Sequence, residues 1–109
     1  MAVVQTVEVT EIARRRAAGD NSFVLLDVRE AEELQVAQVA GALHIPMGEV
    51  PQRAKELDPD KEIVVMCHRG RRSNLVAHFL VEQGFTNVHN LKGGIHAWSL
   101  EVDPSVPVY

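Results

Sequence analysis

The chain has 109 residues, of which 46% are hydrophobic and 24% are charged, and its formal net charge is −4 at pH 7. This length fits a single domain over residues 1–109, and the net acidity argues against a nucleic-acid partner, which would select a basic face. The chain shows neither a secretory signal at its start nor a run of roughly 20 apolar residues, so we expect a cytoplasmic protein with no membrane partner.

Strands and helices alternate along the sequence. The strands are predicted at residues 6–9, 23–28, 42–46, 62–67 and 87–91. The helices are predicted at residues 10–18, 29–37, 48–57, 73–83 and 93–102. The second and fourth strands are apolar throughout, which is typical of strands covered on both faces. The pattern therefore predicts an α/β protein with a central parallel sheet of about five strands, helices on both faces, and an irregular tail on the surface at residues 102–109.

Two of these helices carry side chains whose direction can be predicted. In the first helix, three consecutive residues must point in different directions and are expected in solvent rather than in one basic patch, namely Arg14, Arg15 and Arg16. In the fourth helix, one apolar stripe is expected to face the sheet, formed by Leu75, Val76, Phe79 and Leu80.

Cys67 is the only cysteine of the chain and ends the fourth strand. A single cysteine excludes an internal disulfide, and a partner from outside the chain must resolve any adduct that it forms. In a sheet of this kind, ligands bind at the carboxyl ends of the strands. The strand position of Cys67 therefore places it where chemistry is expected.

The segment after Cys67 is suited to holding an anion. Several backbone N–H groups of residues 68–73 lack partners as the chain turns into a helix, and Gly70 tolerates the positive φ that such a turn requires. An N–H cluster of this kind attracts negative charge, to which Arg69, Arg71 and Arg72 add formal positive charge. Comparable settings lower a cysteine pKa to about 3.5 to 7.5, so a nucleophilic thiolate is expected. The alternative is a free cysteine buried as a small apolar side chain.

The loop "CHRGRRS" at residues 67–73 resembles the active-site loop of the rhodanese family, whose pattern is Cys, two residues, Gly, one residue, Arg and Ser. Three further segments match landmarks of that family in the same order: "LLDVRE" at 25–30, "GALHIP" at 41–46 and "LKGGIHAW" at 91–98. Gln38 stands where many members have histidine. We treat that histidine as structural, so its replacement implies little loss of function. The ending and the histidine after Cys67 are most similar to the rhodanese modules of sulfur-carrier-activating enzymes and to their stand-alone bacterial relatives.

This resemblance implies a sulfurtransferase that moves a sulfane sulfur from thiosulfate or another persulfide donor to a thiol or cyanide through a persulfide on Cys67. A protein thiol or a sulfur-carrier protein is a further candidate partner, and no cofactor is implied. The loop residues assigned to substrate binding are His68, Arg69, Gly70, Arg71, Arg72 and Ser73.

The individual roles in the loop and around it differ. Arg72 matches the family's arginine and is expected to orient the loop or to bind the oxyanion end of the donor. Arg69 and Arg71 are expected to project outward, where they either contact the donor or act only through their charge. In the family, a pair equivalent to Asp27 and Arg29 lies near the loop, so a supporting structural role is expected for both residues.

Three alternative functions were considered. Cysteine phosphatases and arsenate reductases are built on a related fold, but the phosphatases place five residues between Cys and Arg, whereas four separate Cys67 from Arg72. A non-enzymatic partner-binding module or sulfur carrier is another possibility, since a carrier loop could look the same. No metal site is expected, because no two of the five histidines are spaced i, i+4 and there is no second cysteine.

Overall fold

A computed structural model describes residues 3–109 of the chain. The strands are β1 (Gln5–Val7), β2 (Phe23–Asp27), β3 (Leu43–His44), β4 (Glu62–Met66) and β5 (Val88–Leu91). The helices are α1 (Val9–Ala17), α2 (Ala31–Val36), α3 (Val50–Arg53), α4 (Arg71–Glu82) and α5 (Gly94–Glu101), with short 3-10 turns at Met47–Glu49 and Ala54–Glu56 on either side of α3. Within residues 3–109, no helix combines the length and the apolar character needed to cross a bilayer.

All five strands belong to one sheet in the order β1-β5-β4-β2-β3, and every neighbouring pair is parallel. The predicted α/β fold with a five-stranded parallel sheet is therefore confirmed. The central strand is β4, flanked by β5 and β2. Because parallel strands end at the same edge, the residues that follow β2, β4 and β5 are brought together there.

The sheet separates two apolar cores, and successive residues of a strand enter opposite cores. Val65 of β4 packs in a cluster with Val76 and Leu80 of α4. Its neighbour Val64 packs in a second cluster with Ile12 of α1 and Ile95 of α5. This alternation explains why β2 and β4 are apolar at nearly every position, as expected for strands covered on both faces.

Side-chain burial in α1 and α4 differs in part from the prediction. Leu75 was expected on the apolar stripe of α4, but it is 59% exposed, and the buried face consists of Ser73, Val76, Ala77 and Leu80. In α1, Arg14 is exposed as expected. Arg15 is instead half-buried because it pairs with Asp20 and Glu62, and Arg16 is half-buried because it lies over the ring of Trp98.

The tail after α5 forms turns rather than a helix or strand, but it does not lie wholly on the surface as predicted. Val106 is buried in the core that contains α1 and α5. The main-chain oxygen of Pro107 accepts a hydrogen bond of 3.4 Å from the buried hydroxyl of Ser99. Tyr109 is half-buried as a result. The tail is therefore packed along α5 and ends beside the carboxyl edge of the sheet.

Candidate active site

Cys67 follows the last residue of the central strand, and the start of α5 fixes its backbone. Its main-chain oxygen accepts a hydrogen bond of 2.9 Å from the N–H of Ile95, and that of His68 accepts one of 3.0 Å from the N–H of His96. These donors belong to the first turn of α5, where N–H groups have no partner within the helix. Gly94 permits this approach, because an added Cβ would lie against the oxygens of both Cys67 and His68.

The loop after Cys67 curves around the sulfur atom. Gly70 has φ of 104°, a left-handed conformation, and its N–H lies 3.1 Å from Cys67 Sγ. The hydroxyl of Ser73 lies 3.3 Å from the same sulfur atom. One backbone N–H group and one hydroxyl therefore face the sulfur, and α4 begins immediately after Gly70.

The surroundings of Cys67 affect the pKa of its thiol in two opposing ways. Burial raises the pKa, since Cys67 is only 1% exposed. Hydrogen bonds from the Ser73 hydroxyl and from the backbone N–H groups of Ser73, Gly70 and Arg69 lower it. The hydrogen bonds outweigh the burial, so the net shift is downward and favours the thiolate.

Asn90, in β5, links the loop to the sheet. Its side-chain N–H donates to the main-chain oxygen of Gly70 at 3.0 Å, which holds the turn in place. Its side-chain oxygen accepts from the hydroxyl of Ser73 at 2.6 Å. One amide group therefore contacts both residues that donate hydrogen bonds to the sulfur atom.

The three arginines of the loop occupy two different environments. Arg72 is half-buried and donates two hydrogen bonds to the carboxylate of Glu33 in α2, at 2.6 and 2.9 Å. Chiefly because of these bonds, the pKa of Glu33 is lowered to about 2. Arg69 and Arg71 are exposed, and neither forms an ion pair within the described part of the chain. The unpaired positive charge near the loop is thus that of Arg69 and Arg71, whereas Glu33 offsets that of Arg72.

His68 turns its side chain toward the tail. Its ring stacks on that of Tyr109, with 3.9 Å between centroids and an interplanar angle of 4°. His68 Nε2 lies 2.6 Å from the main-chain oxygen of Tyr109. Because that oxygen can only accept, the proton of the ring lies on Nε2. His68 is therefore held against the tail.

Asp27 is the last residue of β2 and Arg29 lies two residues after it, and both are almost completely buried. They form an ion pair with a shortest contact of 2.7 Å. Arg29 also donates to the hydroxyl of Tyr109 at 2.9 Å, and that hydroxyl donates to Glu33 at 2.7 Å. Through Tyr109 and Glu33, the buried pair is connected to Arg72 in the loop.

Three residues at the site were missed by the sequence analysis: Glu33, Asn90 and Tyr109. Asn90 could have been found, because it is a polar residue near the end of a strand next to β4. Glu33 gives only a local signal, since its spacing from Glu30 fits a capping box and the structure shows one. Tyr109 lies 76 residues from Glu33, and no local pattern predicts that contact.

Two surface grooves lie away from the loop. One of about 420 Å³ is lined by residues of α2, the segment after it, Trp98 and the tail. The other, of about 180 Å³, is lined by apolar residues of α4 and of the segment at 47–51 and includes the exposed Leu75. Neither includes any of residues 67–73. Within residues 3–109, no group of three or more His, Cys, Asp or Glu side chains is arranged to hold a metal ion.

Comparison with known proteins points to one protein family. Residues 8–101 match the family model described as "Rhodanese-like domain". The chain is 40% identical over 102 residues to YtwF of Bacillus subtilis, provisionally named a sulfurtransferase, covering 90% of this chain and 98% of that protein. It is 43% identical over 89 residues to YrkF of the same organism, provisionally named a sulfur carrier protein, covering 82% of this chain and about half (48%) of that protein.

Two further relatives have more specific names. "Thiosulfate sulfurtransferase GlpE" of Coxiella burnetii is 33% identical over 95 residues, which cover 87% of this chain and 84% of that protein. "Adenylyltransferase and sulfurtransferase UBA4" of Meyerozyma guilliermondii is 35% identical over 98 residues, which cover 83% of this chain but only 23% of that protein. The expected similarity to modules of such enzymes and to stand-alone bacterial proteins is therefore confirmed.

Solved structures show the same fold. A rhodanese-related protein from Thermoplasma volcanium superposes with a TM-score of 0.80 at 30% sequence identity. The match covers 96% of this chain and 99% of that one.

Proposed function

Since this chain belongs to the rhodanese-like domain family, we propose that it is a sulfurtransferase that carries a sulfane sulfur atom as a persulfide on Cys67. The observation that carries the proposal is the hydrogen bonding at the sulfur atom, where Gly70 and Ser73 donate at 3.1 and 3.3 Å. These contacts favour a thiolate, which is the nucleophilic form of cysteine. Relatives whose names describe sulfurtransferases support the same reaction class.

In the first step, the thiolate of Cys67 attacks the outer sulfur atom of thiosulfate. A bond forms between the two sulfur atoms, the sulfur–sulfur bond of thiosulfate breaks, and sulfite leaves with the bonding electron pair. Cys67 then carries a persulfide anion. No general base is required, because the attacking group is already deprotonated.

In the second step, cyanide or a thiolate attacks the outer sulfur atom of the persulfide. The persulfide bond breaks, the electron pair returns to Cys67 as a thiolate, and thiocyanate or a new persulfide leaves. The N–H groups of the loop face a sulfur anion in both resting states, so the same hydrogen bonds stabilise each of them. Because Cys67 is 1% exposed, a single terminal sulfur atom is the part of a donor best suited to reach it.

We propose that Arg69 and Arg71 attract thiosulfate as the sulfur donor. Both are exposed and carry positive charge that no acidic residue within residues 3–109 offsets through an ion pair. Guanidinium groups bind sulfonate oxygens through charge-assisted hydrogen bonds. GlpE, at 33% identity, is named a thiosulfate sulfurtransferase, which supports the same choice here.

A second candidate function is sulfur delivery between proteins, with a protein persulfide as donor and a protein thiol or sulfur-carrier protein as acceptor. It uses the same Cys67 persulfide. The names of YrkF and UBA4 favour it, since one describes a sulfur carrier and the other joins adenylyl transfer to sulfur transfer. The two candidates differ in the donor that loads Cys67 faster.

The test of the proposal is intact-mass measurement of the purified protein after exposure to thiosulfate and then to cyanide. We expect the protein to gain the mass of one sulfur atom with thiosulfate and to lose it with cyanide. Cys67→Ser should show neither change, because no other cysteine is present. Loading by thiosulfate and by a protein persulfide should then be compared at equal concentration.

Two results would contradict the proposal. One is a wild-type protein that never gains sulfur from either donor. The other is hydrolysis of an aryl phosphate without any sulfur gain, which would favour a cysteine phosphatase. Arg53→Ala is a matched control for variants of Arg69 and Arg71. It replaces an arginine outside the loop that is paired with Glu49 and Glu56, and it should load sulfur at the wild-type rate.

A further inference from the structure

We propose that Tyr109 is a positioning residue of the sulfur-transfer site, which fixes Arg72 through Glu33 and fixes His68 by stacking. The inference deepens the proposed function and rests on it for its kinetic test. It concerns a residue of the tail, more than 30 positions after the loop. Its evidence is a set of contacts that no other tail residue makes.

The tail delivers Tyr109 to the site in a defined position. Val106 is buried in the same core cluster as Trp98. Pro107 then accepts the hydrogen bond from Ser99, which lies on the buried face of α5. Two anchors therefore precede Tyr109 by two and three residues, so the ring reaches His68 from an ordered backbone. Val108, between Pro107 and Tyr109, is 54% exposed and serves as an internal comparison.

The Arg29 side chain donates to the main-chain oxygen of Glu33 at 3.3 Å. The hydroxyl of Tyr109 adds a link between the side chains of these two residues. It accepts from Arg29 at 2.9 Å and donates to Glu33 at 2.7 Å. A phenol can do both at once, because it has one proton and free lone pairs. Arg29 is completely buried and held by Asp27, so it is a fixed point from which the hydroxyl positions the carboxylate of Glu33.

Glu33 in turn determines where the guanidinium of Arg72 lies. The two groups meet through two parallel hydrogen bonds, which fix orientation as well as distance. Within α2, the capping box holds only one oxygen of this carboxylate, since Oε1 accepts from the N–H of Glu30 at 3.1 Å, whereas Oε2 accepts from the hydroxyl of Tyr109. The contact with Tyr109 therefore removes freedom from the side chain to which Arg72 is bound.

The ring of Tyr109 has a separate effect on His68. Stacking at 3.9 Å and the contact of Nε2 with the main-chain oxygen of Tyr109 hold the imidazole to the tail side of the loop. His68 is the residue directly after Cys67. An imidazole released from this position could swing over the sulfur atom and obstruct the donor. Tyr109 thus controls two neighbours of the site by different groups, its hydroxyl and its ring.

The kinetic test compares Tyr109→Phe, which keeps the ring, with Tyr109→Leu, which removes it. For Tyr109→Phe we expect the KM for thiosulfate to rise about 5-fold with kcat within about 2-fold of wild type, because a hydrogen bond to a charged group is lost. Tyr109→Leu should also lower kcat. In a Glu33→Gln background, Tyr109→Phe should cause no further rise in KM, because both changes act on the same contact. Val108→Ala should match wild type in all respects.

A second readout does not depend on activity. The ring protons of His68 should show an upfield shift in the NMR spectrum that is retained in Tyr109→Phe and lost in Tyr109→Leu. The side-chain Nε–H signal of Arg72 should broaden or shift in Tyr109→Phe. These signals test the positioning role even if wild-type protein fails to transfer sulfur, so failure of the inference is distinguishable from failure of the proposed function.

Three outcomes would overturn the inference. One is a Tyr109→Phe protein with wild-type KM and an unchanged Arg72 signal. Another is additive effects of Tyr109→Phe and Glu33→Gln on KM, which would mean that the two residues act separately. The third is a His68 spectrum that is the same in Tyr109→Leu and wild type. Urea unfolding of each variant confirms that the measured protein is folded.

Discussion

Ser73 has one hydroxyl proton and two neighbours that can accept it. The side-chain oxygen of Asn90 lies at 2.6 Å and Cys67 Sγ at 3.3 Å. When Cys67 is a neutral thiol, its S–H can donate to Ser73 while Ser73 donates to Asn90. When Cys67 is a thiolate, the hydroxyl must turn toward the sulfur to stabilise it. Ionisation of Cys67 is therefore coupled to the loss of the bond between Ser73 and Asn90.

This coupling predicts the effect of Ser73→Ala on the thiol. We expect the pKa of Cys67 to rise, because the hydrogen bond from the Ser73 hydroxyl favours the ionised form of the thiol. Part of this rise in pKa is offset, because Ser73→Ala also removes the hydrogen bond to Asn90. The measurement is the rate of alkylation by iodoacetamide as a function of pH. Ser99→Ala removes another buried serine hydroxyl, which donates to Ile95, and should leave the midpoint of the profile unchanged.

At the scale of the elements, the first turn of α5 holds the loop that begins at Cys67. The N–H groups of Ile95 and His96 donate to the main-chain oxygens of Cys67 and His68. Helix and loop can approach this closely only because Gly94 has no Cβ and takes φ of 57°. The last helix is thereby part of the site, although none of its side chains bonds to the sulfur.

Gly94 meets two requirements, a positive φ and the absence of a Cβ, and three Gly→Ala variants separate their effects. Gly94→Ala should lower the free energy of unfolding by about 2–5 kcal/mol, because positive φ costs about 1–2 kcal/mol and overpacking adds about 1–3 kcal/mol. Its Cβ would lie 2.6 Å from the His68 oxygen. Gly84→Ala has φ of 102° but no atom within 4 Å, so only the first cost applies. Gly48→Ala has neither feature and should change stability by less than about 0.5 kcal/mol.

Urea unfolding measures all three differences. The order expected is Gly94→Ala as the most destabilised, then Gly84→Ala, then Gly48→Ala. A Gly94→Ala protein as stable as Gly84→Ala would show that the loop can move away from α5 at no cost. In that case, the sulfur-loading rate of Gly94→Ala reports whether the displaced loop still functions.

At the scale of the whole molecule, the site contributes to stability as well as to chemistry. A series of consecutive side-chain contacts connects β2, the tail, α2 and the loop. It runs through Asp27, Arg29, Tyr109, Glu33 and Arg72. The carboxylate of Glu33 has a pKa of about 2 in the folded protein, against an ordinary value of 4.5. Its charged form is therefore favoured by folding, and the contribution is present at neutral pH.

The pH dependence of stability should carry the signature of Glu33. A carboxyl whose pKa is lowered by folding stabilises the protein above its unfolded pKa, and this stabilisation is lost as pH falls from about 5 toward 2. A shift of this size corresponds to about 3 kcal/mol. Glu33→Gln should therefore flatten the fall of unfolding free energy over that range, measured by urea unfolding at successive pH values. Glu32→Gln, an exposed neighbour in α2, should keep the wild-type slope.

The sequence predicted those features that depend on local pattern. The apolar runs of β2 and β4 predicted a sheet covered on both faces, and the spacing from Cys67 to Ser73 predicted the loop around the sulfur. Leu75 was misplaced because the buried face of α4 is narrow and includes Ser73 and Ala77, which a hydrophobic stripe does not single out. The contacts of Arg72 with Glu33 and of Tyr109 with Arg29 join residues 39 and 80 positions apart. Such pairings depend on tertiary packing and leave no periodic signal.

The backbone N–H groups and the single hydroxyl around Cys67 have a consequence for altering this protein. Arg69 contributes only its main-chain N–H to this arrangement, and the side chains of Arg69 and Arg71 are both exposed. Varying these two positions in a combinatorial library would change the charge and shape presented to incoming molecules while retaining the reactivity of the nucleophile. Preference among substrates could in this way be redirected by selection without rebuilding the catalytic centre.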